Sequence, residues 1–142
     1  MKKKYTPTLT AKEVKEIGTI VYDVFDEGIR FIIKKSSWHW CGYIGIPLDH
    51  PLAGFNYEDL DFISAHGGLT FASSGSDKWP EGYYWYGWDY GHAGDYCHYD
   101  IKIDNMIESE KDWTIKEVIE DSRDTLYEFK KLIRLAEKIV IK

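Results

Sequence analysis

The C-terminal segment limits this chain's fold more than any other. Thr114-Ile115-Lys116-Glu117 is a capping box, with Trp113 and Val118 placed as a hydrophobic staple. From there Ile115, Ile119, Ser122, Leu126, Phe129, Ile133 and Ala136 recur at alternating spacings of four and three. That spacing puts them in one apolar stripe and predicts a C-terminal helix within 112–139, about 40 Å long. A helix with a single apolar stripe must lay it on another layer. The stripe also has heptad spacing, which suits a seam with a second copy, so a homo-oligomer is expected.

Upstream runs supply the other layer. Residues 1–9 read as a flexible basic arm. Thr10-Ala11-Lys12-Glu13 starts a short N-terminal helix that Gly18 stops after about Ile17. Thr19 to Phe25 and Ile29 to Lys34 are β-branched and aromatic, and Asp26-Glu27-Gly28 between them has turn chemistry. Ser36-Ser37 starts a second turn. A third strand from Trp38 to Ile46 then puts Trp38, Trp40, Gly42, Ile44 and Ile46 on one face and His39, Cys41, Tyr43 and Gly45 on the other. After a loop and a short helical turn within 57–65, His66 to Ala72 and Tyr83 to Tyr90 complete an antiparallel sheet of about five strands. The expected fold is α+β, a single domain over 1–142 with the long helix packed on one face of the sheet.

Composition narrows the function. Residues 36–105 hold five of the six tryptophans, eight of the eleven tyrosines and all five histidines, and there Lys78 and Lys102 face ten acids. An acidic, aromatic middle argues against direct nucleic-acid binding, which needs a basic face. It permits a metal, a cationic ligand, or mimicry of nucleic acid. Only Cys41 and Cys97 are available for disulfides, no signal peptide is expected because no apolar stretch follows Lys2-Lys3-Lys4, and no apolar run approaches the ~20 residues of a membrane span. A cytoplasmic protein without membrane contact is expected.

The stretch Trp85 to Asp100 concentrates the chemistry. It packs two tryptophans, four tyrosines, two histidines and three aspartates into sixteen residues, more polar groups than an ordinary core strand can satisfy. His66, His92 and Asp95, with Asp89 and Asp61 nearby, offer imidazole and carboxylate ligands for zinc, manganese or iron, although no HExxH-type signature is present. A histidine bonded to a carboxylate can equally brace a loop. As an enzyme the chain would use His92, Asp95 and His66 for acid–base work. Cys41, Cys97, Thr70 and Ser74 are the available nucleophiles, and no motif marks one of them. As a binder it would stack a ligand on Trp38, Trp85 and Trp88. His66, His92, Asp89 and Asp95 would fix its polar groups, and the Gly67 and Gly68 N–H groups would face a phosphate. Counter-charge for a phosphate would come from Arg30, Lys34, Lys35, Arg123, Lys130, Lys131 or Arg134.

Several motifs occur in order: Cys41-Gly42-Tyr43-Ile44-Gly45-Ile46-Pro47, Asp49-His50-Pro51, His66-Gly67-Gly68-Leu69-Thr70-Phe71, Trp88-Asp89 and Gly91-His92-Ala93-Gly94-Asp95. Together they resemble a family of small tailed-phage and prophage proteins over roughly 20–135. Trp88 and Tyr90 stand where many relatives carry Phe and Cys. The resemblance implies a phage accessory protein and assigns no residue a role. By analogy with phage sponges for immune signalling nucleotides, the leading expectation is a non-enzymatic protein that sequesters a small nucleotide-like ligand and needs no cofactor. The alternatives are a divalent-metal-dependent hydrolase built on His66, His92 and Asp95, and an acidic inhibitor of a host protein.

Overall fold

The strand-like runs pair into one antiparallel sheet in a computed structural model, which describes residues 19–35, 39–75, 79–92, 94–95 and 111–141. The expected basic arm, the N-terminal helix, Trp38 and the run 96–100 lie outside the described residues. The strands are β1 (Thr19–Asp26), β2 (Ile29–Lys35), β3 (Trp40–Pro47), β4 (Phe71–Ser73) and β5 (Tyr83–Asp89), in the spatial order β1-β2-β3-β5-β4. Glu27 and Gly28 both take positive φ, 48° and 87°, the geometry of a tight hairpin turn that follows the strand twist. A short 3₁₀ turn, Tyr57–Leu60, lies between β3 and β4.

The helix forms as predicted at its start. The Thr114 side chain accepts from the Glu117 N–H, and the Glu117 carboxylate accepts from the Thr114 N–H. It is bent where a continuous helix was expected: α1 (Ile115–Asp121) and α2 (Arg123–Ile141) meet at Ser122. The buried Ser122 hydroxyl donates to the Val118 carbonyl at 2.7 Å, a back-bond that competes with the backbone ladder and bends helices. The stripe is used on the sheet. Val118, Phe129 and Ile133 pack in one cluster with Ile29, Phe31, Ile33, Ile44, Ile46, Tyr86 and Trp88, flanked by Ile115, Ile119, Leu126 and Ala136. Those residues are therefore not available as a seam for a second copy. No helix among the described residues is long and apolar enough to cross a membrane.

The fourth strand is shorter than the run His66 to Ala72 predicts. Gly67 and Gly68 take φ of 69° and 83°, and the Gly68 N–H closes a turn on the Ala65 carbonyl at 2.9 Å. His66 is thereby placed on a turn at the end of the sheet instead of within a strand.

The opposite face of the sheet has its own packing. The register shift between Ile20 and Tyr22 puts both Ile20 and Asp23 on this face. Asp23 there takes the fully buried Arg30 in a two-pronged pair, Nε to Oδ1 at 2.8 Å and Nη2 to Oδ2 at 2.7 Å. Glycines in the middle of the sheet make room for its large rings. Gly42 pairs across from Trp88 and Gly45 from Trp85, on opposite faces. A Cβ at Gly42 would sit 2.6 Å from the Trp88 ring, and one at Gly45 2.7 Å from the Trp85 ring. Both indoles are consequently core groups, with relative exposures of 1% and 0%.

Gly42→Ala is therefore expected to lose about 1–3 kcal/mol of stability by overpacking. Urea unfolding monitored by tryptophan fluorescence measures this; an unchanged midpoint would show that the Gly42–Trp88 contact is slack.

Candidate functional site

The candidate site sits where β5 ends. Asp95 closes a turn there: its N–H donates to the His92 carbonyl at 2.9 Å, and the Lys111 N–H donates to the Gly94 carbonyl at 2.8 Å. The second bond aligns Lys111 with Asp95 as a short parallel bridge and brings Trp113 alongside. The Asp95 carboxylate is only 5% exposed. Its Oδ1 accepts from Trp113 Nε1 at 2.8 Å, and its Oδ2 from the His92 N–H at 3.0 Å. His66 Nε2 lies 2.9 Å from Oδ1 and 2.8 Å from Oδ2.

The imidazoles are positioned by packing as well as by hydrogen bonds. The His66 ring stacks on Tyr90 at 4.5 Å and 13°, and meets Trp113 edge-on at 5.1 Å. Tyr90 is anchored at both ends: its N–H donates to the Trp40 carbonyl at 2.9 Å, and its hydroxyl to Asp121 of α1 at 2.8 Å. Burial pushes the Tyr90 hydroxyl pKa well above the ordinary tyrosine value, which keeps it a donor. The Trp40 indole in turn donates to the Trp113 carbonyl at 2.8 Å. His92 lies against Gly67, where a Cβ would fall 2.6 Å from the imidazole, so this position needs glycine for space as well as for its positive φ.

His92 Nδ1 is 3.1 Å from the Asp89 carbonyl and 3.2 Å from Asp89 Oδ1. With the proton on Nδ1, His92 donates to Asp89 and keeps a bare lone pair on Nε2. Metal-ligating histidines are commonly oriented in this way. One ligand atom each from His66, His92 and Asp95 lies within 4.8 Å of the others, so a small inward movement would bring all three onto one ion. A third imidazole, His39, rests on Gly91, where a Cβ would be 3.2 Å from its ring. Burial lowers the His39 pKa below the ordinary histidine value, with Asp89 opposing that shift.

The structure thus gathers His66, Gly67, Asp89, His92 and Asp95 from the sequence-derived set. Gly68 belongs to the adjoining turn with its N–H already committed to Ala65. Asp61 is exposed and is not in the cluster. Trp85 and Trp88 do not face the site as stacking surfaces, because both are enclosed by the core. Cys41 is a poor nucleophile at neutral pH, since burial first and Asp89 second raise its thiol pKa to about 11. Trp113 and His39 are the residues that the sequence did not single out for the site. Trp113 is eighteen positions from its carboxylate partner and read as a helix staple. The strand alternation had placed His39 on a face with Cys41 and Tyr43 without marking it as part of a site.

No family model, no curated protein and no solved structure matches this chain. The site is therefore read from its own geometry.

The His39 shift has a pH consequence. Below the ~6.5 of an unfolded imidazole, the unfolded chain takes up a proton that folded His39 resists. The His39 contribution is therefore present above about pH 6.5 and is lost as the pH falls toward its lowered folded value. His39→Gln is expected to flatten the fall in stability between pH 7 and pH 5 in urea titrations; an identical slope in both proteins would contradict the burial of this ring.

Proposed function

We propose that this protein holds a divalent transition-metal ion on His66, His92 and Asp95 and uses it to hydrolyse a small nucleotide-like molecule. The observation that carries this reading is the convergence of three ligand atoms within 4.8 Å, with His92 oriented by the Asp89 carbonyl at 3.1 Å. Two imidazoles and one carboxylate favour zinc, manganese or iron over magnesium or calcium, which prefer all-oxygen sites. Three protein ligands leave coordination positions for water and substrate, as catalytic sites require. An ion there would supply an activated water, consistent with the absence of a marked side-chain nucleophile in the sequence. Trp113 Nε1 and the His92 N–H would hold the carboxylate in place, and stacking on Tyr90 would hold His66. The motifs His66 to Phe71 and Gly91 to Asp95 add the setting: a phage accessory protein acting on a nucleotide of bacterial defence.

A second reading rests on the Asp95 carboxylate, which already has Trp113, His92 and His66 as partners. On that reading His66–Asp95 is a metal-free brace, and the protein sequesters its ligand without altering it.

Calorimetric titration of chelator-treated protein with zinc and manganese separates the two. One ion per chain is expected to bind, weakened by about tenfold or more in His66→Ala and His92→Ala, since losing a ligand costs at least as much as losing a group that orients one. Incubation of the loaded protein with cyclic and linear nucleotides, followed by heat release, is expected to return altered nucleotide. Return of intact nucleotide from a protein that takes up no stoichiometric metal would establish the sequestering reading instead.

A further inference from the structure

A groove of about 200 Å³ opens on the sheet face turned away from the helix, lined by Cys41, Tyr43, Thr70, Phe71, Trp88 and Asp89. It adjoins the histidine cluster through one residue. Asp89 lines the groove, and the same side chain reaches back to His92 Nδ1 at 3.2 Å. We propose that this groove is a base-recognition pocket, in which Asp89 reads two adjacent N–H donors of a planar heterocycle such as the Watson–Crick edge of guanine. The inference rests on the nucleotide-like substrate proposed above and specifies where and how that substrate is read.

Three features of the groove select this ligand. The first is charge. Among the described lining residues, Asp89 is the one carboxylate, and the Cys41 thiol stays neutral at pH 7 because its pKa is raised to about 11. A carboxylate accepts only, so it favours a donor-bearing edge. Asp89 Oδ1 accepts the Gly91 N–H at 2.9 Å, which fixes the carboxylate at the edge of the groove.

The second feature is shape and surface. Tyr43 and Phe71 meet edge-to-face at 5.4 Å, and Trp79 stacks on Phe71 at 5.3 Å, so the three rings form one aromatic wall. A flat ring packs well against such a wall.

The third is size. The volume is below the ~300 Å³ at the small end of ordinary ligand pockets, which suits one ring system and leaves sugar and phosphate outside. Phosphate outside the groove would be free to approach the ion held by His66, His92 and Asp95. The groove and the histidine cluster would then divide the substrate between them, base to Asp89 and phosphate to metal.

The test uses guanosine and adenosine, which carry no phosphate, with full-length protein in thermal-shift and calorimetric titrations. Guanosine is expected to bind at least about tenfold more tightly than adenosine, because adenine offers one donor beside an acceptor. Asp89→Asn is expected to remove that preference. Thr70→Phe, at an exposed rim position, is expected to abolish guanosine binding without altering zinc uptake. Equal binding of both nucleosides, binding of neither, or guanosine binding unchanged in both variants would overturn the proposal. Zinc uptake is measured on the same samples. Guanosine binding in His66→Ala with zinc lost supports the groove independently of the metal, and zinc uptake without any nucleoside binding overturns the groove and leaves the metal reading intact.

Discussion

The hydrogen bonds to the Asp95 carboxylate hold the candidate site together. Asp95 joins three stretches of chain that are distant in sequence: the His66 turn, the end of β5 and the approach to α1. A carboxylate so deeply buried is costly unless its lone pairs are met. Here Trp113 Nε1, the His92 N–H and His66 meet them. Around this centre the other contacts are consequences of position. Tyr90 supports His66 and ties it to α1 through Asp121, and Trp40 holds the Trp113 carbonyl. The site is thus continuous with the core through rigid aromatic groups, which favours a preformed geometry over one assembled on binding.

Much of the fold was legible from local pattern. The Thr114 box, the stripe through Phe129 and Ile133, and the alternation in β3 each follow from periods that side-chain geometry imposes. What the pattern could not show was where local hydrogen bonding overrides it. Ser122 occupies a stripe position and fits a continuous helix on paper, yet the helix bends there, where the Ser122 hydroxyl bonds back to the Val118 carbonyl. His66 to Ala72 reads as a strand candidate, yet two glycines at positive φ put His66 on a turn before it.

The site was half legible, for a related reason. Imidazoles and carboxylates within a few residues of one another stand out, and His66, His92 and Asp95 do converge. The tryptophans misled because their partners were glycines. Gly42 and Gly45 give no hydrophobic signal, so the space they leave for Trp88 and Trp85 is invisible until strand register is known. Once the register pairs them, an aromatic excess that resembles an exposed platform becomes two internal contacts. Trp113 was hidden for the opposite reason: its role depends on one long-range bond that no local spacing encodes.

The central claim is that His66, His92 and Asp95 form one metal centre, and its ligand set can be seen directly by X-ray absorption on zinc-loaded protein. The account predicts a first shell of light nitrogen and oxygen scatterers at about 2.0–2.1 Å, with the outer-shell pattern of two imidazoles, reduced to one imidazole in His92→Ala. A sulfur shell at about 2.3 Å, or a first shell without imidazole scattering, would place the ion elsewhere and contradict it.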